Sequence, residues 1–431
     1  MDSSILEFTQ KYEEDTRIKS IEAFPYLPIT GTQYNTPSVI RIDIESQDEF
    51  FWPHLSWLQI EGRILRENDH AYADEAVSIT NNGLMYLFSN IKYLLSGNDV
   101  ENMNHCGQGS TMFGHARYSK NYASGPGLAQ AWFPDTNTHA ADTNLGWLKR
   151  KQYFIRSTDT GHDDTGYFNV PLYLDGLFGF AEDYDKVIYG MRQSLYLTRK
   201  ATDHDAIFRD NNAPAGKIVL SKITWWMPRV IPSEAESYKL YKQINDKITI
   251  SCAYRMRQCA SINISNVQNY TWNLGVRMAS EKPRYVIVGF QSGKSGSQVA
   301  NASLFDHCRV VNMKVRLNST EYPSTDFNTD FTRNNYACFY QAMLNFVRQY
   351  NGVERLVSST GIDAQDYKNL FPLYFFDVTR QSERLNQGVV DISVIINFAV
   401  NTPQNTYAYA LVISDRVIKF QSDGRKMSII S

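Results

Sequence analysis

The chain predicts an all-β protein built as two tandem jelly rolls with a few short helices. Three observations carry that reading. The first is internal repetition: Ser89, Asn90, Ile91, Lys92, Tyr93, Leu94, Leu95, Ser96 and Gly97 return as Val311, Asn312, Met313, Lys314, Val315, Arg316, Leu317, Asn318 and Ser319. Likewise Pro171, Leu172, Tyr173, Leu174 and Asp175 return as Pro372, Leu373, Tyr374, Phe375, Phe376 and Asp377, the two offsets being 222 and 201 residues. The second is a succession of short, alternating β-branched and aromatic segments separated by long unequal loops, with no βαβ alternation, which suits a jelly roll better than a meandering barrel. The third is size: 431 residues exceed the roughly 100 to 200 residues of one ordinary domain. With 43% apolar and 13% aromatic residues, the chain can fill large cores, and its aromatics favour sheet.

Residues 1–35 read as a polar arm (Lys11, Tyr12, Glu13, Glu14, Asp15, Thr16, Arg17) that passes through Pro25 and Pro28 into the first strand and orders against a neighbour. The first roll spans 36–231, with strands expected over 38–44, 55–65, 77–80 and 91–95. Asn81, Asn82 and Gly83 form a tight-turn signal, because Asn and Gly tolerate positive φ. Beyond it Leu87, Ile91, Tyr93 and Leu95 point one way and Lys92 the other. Residues 104–146 are polar and small, and a loop of that length tends to be functional. Strand-like material resumes at 152–156, 186–198 and 217–230. Residues 232–246 form a connector with a short charged helical turn. The second roll fills 247–431, with strands over 248–259, 272–278, 284–291, 312–317, 389–400 and 407–420. A helix carrying Tyr336, Phe339, Tyr340, Met343, Leu344 and Val347 at spacings of three and four, closed by Gly352, is laid over a sheet face.

A net charge of −2 gives no footprint for nucleic acid, which needs a basic face. Nothing approaches 18 consecutive apolar residues, and Met1 to Glu7 lacks a basic start followed by an apolar run, so the expectation is a soluble protein made in the cytosol and not secreted. Cys106, Cys252, Cys259, Cys308 and Cys338 lack metal-site or disulfide spacing and read as free thiols, mostly buried. The sequons at Asn263, Asn269, Asn301 and Asn318 count as chance in an unsecreted chain.

Few residues suggest chemistry. His162, Asp163, Asp164 and the second triplet Asp203, His204, Asp205 carry ligand types for a cation. Neighbours in an extended segment point oppositely, so both read as solvated turns. Gly107, Gly109 and Gly114 imitate part of a phosphate loop but lack its lysine. Glu13, Glu14, Glu234 and Glu236 read as solvated charge. Trp225 and Trp226, adjacent on a strand, place one ring in the core and one on the outer face, where it marks a subunit contact. No catalytic, metal or cofactor-binding residue is assigned.

The run from Ile79 to Val100, with its Asn81-Asn82-Gly83 turn, its Leu87-Phe88-Ser89 core, the alternating strand through Ile91 and Leu95, and the Gly97-Asn98 turn, resembles a motif of double jelly-roll major capsid proteins of the polinton, adintovirus and virophage branch. It is also similar to double jelly-roll-like proteins of invertebrate genomes, in which such a stretch is followed by one resembling Phe178, Gly179, Phe180, Ala181, Glu182, Asp183, Tyr184, Asp185, Lys186, Val187, Ile188, Tyr189 and Gly190. The fold-defining positions on this resemblance and on the internal repeat are Asn81, Asn82, Gly83, Leu87, Phe88, Ile91, Leu95, Gly97, Pro171, Tyr173, Pro372 and Tyr374. The second copy lacks a clean Asn-Asn turn.

The resemblance implies a capsid protein of the adenovirus and tailless-phage lineage, assembling as a homotrimer of pseudo-hexagonal outline and then as an icosahedral lattice. It implies penton or minor capsid proteins as further partners, no sequence-specific nucleic-acid contact, possible membrane contact, and residence in the virion. Residues 104–146 would form an exposed tower or a clasp between neighbours. Three alternatives stay open: a glycan-cleaving amidase built of two jelly rolls, a lectin-like module, and a host-captured capsid protein in another role.

Overall fold

The computed structural model describes residues 16–29, 34–46, 48–73, 75–155, 165–275, 282–354, 360–381, 390–423 and 427–430. The arm as far as Asp15 and the His162-Asp163-Asp164 triplet lie outside them.

Among the described residues, sixteen strands form two rolls of eight. In the first, β1 (Ile18–Tyr26), β8 (Gly216–Pro232), β3 (Trp57–Arg66) and β6 (Tyr167–Tyr173) lie side by side in that order, extended by the short segments Phe50–Phe51 and Ile188–Tyr189. The facing sheet has β2 (Val39–Ile44), β7 (Gln193–Arg199), β4 (Phe88–Leu95) and β5 (Asn98–Asn104). The second roll repeats the pattern: β9 (Thr249–Asn263), β16 (Thr406–Ser422), β11 (Lys282–Ser292) and β14 (Tyr374–Asp377) in one sheet, β10 (Asn269–Asn273), β15 (Ile392–Phe398), β12 (Val310–Leu317) and β13 (Thr320–Tyr322) in the other. Strand for strand the order is the same, and each roll is a jelly roll.

The first sequence echo falls on corresponding strands. Ile91, Tyr93 and Leu95 on β4 and Met313, Val315 and Leu317 on β12 are buried alternately with half-exposed neighbours. The tight turns that follow use Ser96 and Gly97 in one copy and Asn318 in the other, all at positive φ. The second echo joins corresponding strands out of register. Tyr173 pairs with Trp57 and is 46% exposed, whereas Tyr374 pairs with Val288 and is fully buried, its hydroxyl donating to the His307 carbonyl at 3.0 Å. Pro171 lies within β6 opposite Gln59, while Pro372 is buried just before β14.

Three expectations are corrected. The arm does not run to residue 35: Ile18–Tyr26 is the edge strand β1, whose outward side chains stay wet because it pairs only with β8. Residues 104–146 are no exposed loop. They open with helix α1 (Cys106–Arg117), in which every residue from Cys106 to Ala116 is buried, and lead to α2 (Leu145–Phe154). Of the strand expected at 152–156, residues 152–154 are the end of α2, which is capped at its start by the Asn144 side chain, and residue 156 lies outside the described residues.

A short turn, Leu174–Leu177, runs into α3 (Gly179–Asp183). Between the rolls lies α4 (Glu234–Asn245), capped by Ser233 and without a buried residue. Helix α5 (Ala337–Asn351) ends at Gly352 with φ +64°, and buries Phe339, Met343, Phe346 and Val347 against the second roll. One apolar core runs without interruption through both rolls.

Candidate functional site

The turn asparagines act as buried connectors. Asn82, at φ +61°, donates from Nδ2 to the hydroxyls of Ser110 and Thr111 at 2.7 and 3.1 Å, and Asn81 Oδ1 accepts the Phe133 N–H at 2.8 Å. A Cβ on Gly83 would meet Ile79 at 2.5 Å and the Ala206 carbonyl at 2.8 Å, so only glycine fits. Leu87 ends the 3-10 turn that follows, and its carbonyl accepts from Lys200 N at 2.8 Å; Phe88 starts β4. These residues tie the first roll to α1.

The α1 glycines are packing residues, not a phosphate cradle. A Cβ on Gly107 would stand 2.3 Å from the Tyr86 ring, and one on Gly114 would stand 2.4 Å from Trp132. Gly109 lies against Cys259 of the second roll. The helix is thus drawn in between the rolls, where the Tyr86 hydroxyl, held beside Thr111 of α1, donates to the Ala302 carbonyl across the seam at 2.7 Å.

The seam has a second, charged end. Glu101, 1% exposed, accepts the N–H groups of Gly179 and Phe180 at 3.0 Å each and of Arg257 at 2.8 Å. Burial pushes its carboxyl up to about 7, against the pull of Arg257 and the three N–H groups. Arg257 pairs with Glu182, lies 3.8 Å over the Phe113 ring and donates to the Gly176 carbonyl at 3.1 Å. Arg117 reaches the same Glu182 at 2.9 Å, and the Tyr350 hydroxyl donates to it at 2.8 Å. Asp183 takes the Arg255 N–H at 2.7 Å and its Nε at 2.9 Å. β9 is a sheet edge, so first-roll carboxylates satisfy donors of second-roll backbone that would otherwise be buried unpaired.

Further contacts lengthen the seam. The Tyr254 hydroxyl and Arg416 both donate to the Val100 carbonyl at 2.7 Å. Asp135, ion-paired with fully buried Arg150 at 2.8 Å, accepts Asn301 Nδ2 at 2.9 Å. Gln298 exchanges two hydrogen bonds with the Gly216 backbone, at 2.6 and 3.0 Å. The Asp203-His204-Asp205 triplet belongs here rather than to a solvated turn. Asp203 pairs with Arg199, whereas Asp205 binds Lys200 at 3.1 Å and the Gly296 N–H at 2.7 Å.

The Phe178–Asp183 stretch is therefore the clamp that holds the second roll to the first. Sequence reading placed it in the family pattern but missed its role, because its partners Glu101, Arg255 and Arg257 lie 72 to 79 residues away along the chain. No group of three His, Cys, Asp or Glu able to hold a metal occurs among the described residues, and no helix among them is long and apolar enough to cross a membrane. All five cysteines are free, four of them buried and Cys338 exposed. Trp225 is wholly buried, while Trp226 stacks on Trp57 at 5.6 Å on the outer face.

Two eight-stranded rolls in one repeated order, locked by a buried polar seam, define a double jelly-roll protein. The chain belongs to the double jelly roll-like domain family, whose model matches residues 77–418. A comparison with curated protein sequences finds no match. Solved structures of the same fold include the Sputnik virophage at 3.5 Å by cryo-electron microscopy (TM-score 0.60, 10% identity, covering 100% of this chain and 92% of that one). The mavirus major capsid protein is similar (TM-score 0.57, 10% identity, 99% and 92% covered), as is the Faustovirus major capsid protein (TM-score 0.52, 8% identity, 96% and 92% covered).

Proposed function

We propose that this chain is the major capsid protein of a DNA virus or virus-derived element, self-assembling through pseudo-hexagonal homotrimers into an icosahedral shell. The observation that carries the reading is the seam: the two rolls share one core and a buried network, so they stand at a fixed angle as a single rigid block, which is what a tiling unit requires. Likeness in fold along the whole chain to proteins whose structures are those of major capsid proteins supports it. In this reading the first roll closes at Pro232, α4 is the connector, and the second roll begins at Thr249. The role is structural and not enzymatic, the site of action is the virion after synthesis in the host cell, and penton or minor capsid proteins are further partners.

Size-exclusion chromatography with light scattering, followed by negative-stain imaging, tests this. A mass of three chains, or closed particles with threefold or hexagonal views, is expected. A stable monomer with measurable glycan affinity would instead favour the amidase or lectin readings.

A further inference from the structure

We propose that a cleft of about 600 Å³ at one end of the second roll binds a small phosphate monoester, with Arg309, Lys368 and His307 holding the phosphate. The inference goes beyond the capsid reading and does not depend on it.

The cleft opens where β11 ends at Ser292 and β15 at Phe398, and where β12 begins at Val310 and β16 at Thr406. It is therefore the mouth between the two sheets, a common place for a small-molecule site. Residues 306–309 form one wall. Cys308 and Arg309 there have φ of +45° and +54°, two successive non-glycine residues in the left-handed region. Backbone of that kind costs free energy and gathers at ligand sites. Its surroundings fix it in place: the Arg309 N–H donates to His307 Nδ1 at 3.0 Å, the Arg309 carbonyl accepts the Ala399 N–H at 2.9 Å, and the His307 ring lies flat on Phe331 at 4.6 Å.

The charges at the mouth do not cancel. Asp306 is already occupied, accepting Lys294 Nζ at 2.7 Å and the Ser292 N–H at 2.8 Å. Arg309 is exposed and has no carboxylate partner among the described residues. Lys368, half-buried near the end of the short helix Ala364–Asn369, donates to the neutral Asn334 Oδ1 at 2.8 Å and likewise has no carboxylate partner among them. Because His307 Nδ1 is an acceptor, the neutral ring carries its proton on Nε2, a donor without a partner among the described residues. Burial lowers the basicity of this ring, and Lys368 and Arg309 lower it further against the pull of Asp306, so both cations stand close around it.

The first roll shows the alternative. At its corresponding mouth, where β3 and β7 end and β4 and β8 begin, Arg199 is paired with Asp203 and Lys200 with Asp205 at 3.1 Å. In the second roll the carboxylates that would neutralise Arg309 and Lys368 have no counterpart, and a ligand must bring the charge. Two cations and a further N–H donor suit a phosphate monoester, which carries about −1.5 to −2 charge near neutral pH on three strong acceptor oxygens. A carboxylate supplies less charge and fewer acceptors. The volume falls within the roughly 300–1,000 Å³ of small-molecule sites, so the phosphate leaves room for an organic body. Half-exposed Val400, with Pro403 and buried Phe305, gives that body an apolar wall.

Isothermal titration calorimetry at fixed chloride concentration tests the assignment with three probes: inorganic phosphate, a hexose phosphate and a nucleoside monophosphate. One probe per chain is expected to bind, with at least one ester tighter than inorganic phosphate. Arg309→Asn, which keeps a residue tolerant of the left-handed conformation, and Lys368→Gln should each weaken ester binding about tenfold. Lys242→Gln, at an exposed lysine on α4, should leave it unchanged, and differential scanning fluorimetry confirms that every variant is folded. In spectra of isotope-labelled histidine, the His307 signal, assigned with His307→Asn, should titrate at higher pH when the ester is bound, because a nearby dianion favours the charged ring. The proposal is overturned by the absence of binding, by equal affinity for all three probes, by binding that neither substitution weakens, or by a His307 titration that the ester does not move. None of these outcomes bears on self-assembly, so the capsid reading stands or falls separately.

Discussion

Arg257 of the second roll closes an ion pair with Glu182 of the first where the arginine side chain has no exposed surface at all. The guanidinium is further held by the Phe113 face and by the Gly176 carbonyl. A charge in such a place is tolerated only because it is paired and hydrogen-bonded. Arg257→Met should therefore destabilise the protein by about 3 kcal/mol, the low end for breaking a buried pair, since Glu182 keeps Arg117 and Tyr350. Denaturation in urea followed by tryptophan fluorescence measures it, and a loss below about 1 kcal/mol would mean that the pair behaves as a surface one.

Glu101 gives the seam a pH dependence. Burial lifts its carboxyl from the ordinary 4.5 to about 7. The folded chain consequently binds this proton more readily than the unfolded chain does between those values. The resulting stabilisation is fully present below pH 4.5 and is lost as the pH rises through 7. Glu101→Gln removes that dependence and leaves one of three N–H groups without an acceptor, at a cost of about 1–3 kcal/mol. Urea midpoints taken from pH 5 to pH 8 should fall more steeply for the wild type than for the variant; parallel curves would contradict the assignment.

At Gly179 the first-roll backbone passes too close to the second for any side chain. A Cβ there would stand 1.7 Å from the Arg255 carbonyl oxygen. Gly179→Ala should push the rolls apart and cost about 1–3 kcal/mol as overpacking. Calorimetry should show the single wild-type transition broadening or splitting as the rolls uncouple. An unchanged single transition at the wild-type temperature would show that the seam gives way without loss.

Thiol chemistry offers a simple count. Burial pushes the Cys106, Cys252 and Cys308 thiols up to about 12 and Cys259 further in the same direction, so all four are unreactive in the folded chain. Cys338, exposed at the start of α5, should react alone with an aromatic disulfide reagent. The remaining four should appear only in denaturant. Two or more fast thiols in the native protein would place one of the buried cysteines at the surface.

The sequence was legible where local pattern and burial agree. Ile91, Tyr93 and Leu95 alternate with Lys92 and Leu94 because one side of β4 is core and the other is not, and the repeat in β12 obeys the same rule. The three-and-four spacing of α5 and the inward and outward rings of Trp225 and Trp226 follow equally directly. What stayed hidden was tertiary in origin. Helix α1 contains three glycines, a serine and a threonine, a poor helix former by composition, and it exists because Tyr86, Trp132 and Cys259 pack against it. Glu101, Glu182 and Asp183 look like surface charge until the fold brings Arg255 and Arg257 to them from far along the chain. The sequence echo at Tyr173 and Tyr374 pointed to corresponding strands, but strand pairing turned the two rings to opposite faces.

Helix α4 joins the rolls with no buried residue of its own, resting only its Tyr241 ring on Phe50 and Tyr189 of the first roll, while the polar seam between the rolls is made by other residues. The covalent link and the mechanical link are therefore different parts of the molecule. A protease nick in α4, or a foreign peptide spliced into it, leaves the angle between the halves in the keeping of Glu101, Glu182 and Asp183. The exposed α4 is the natural place to hang a tag.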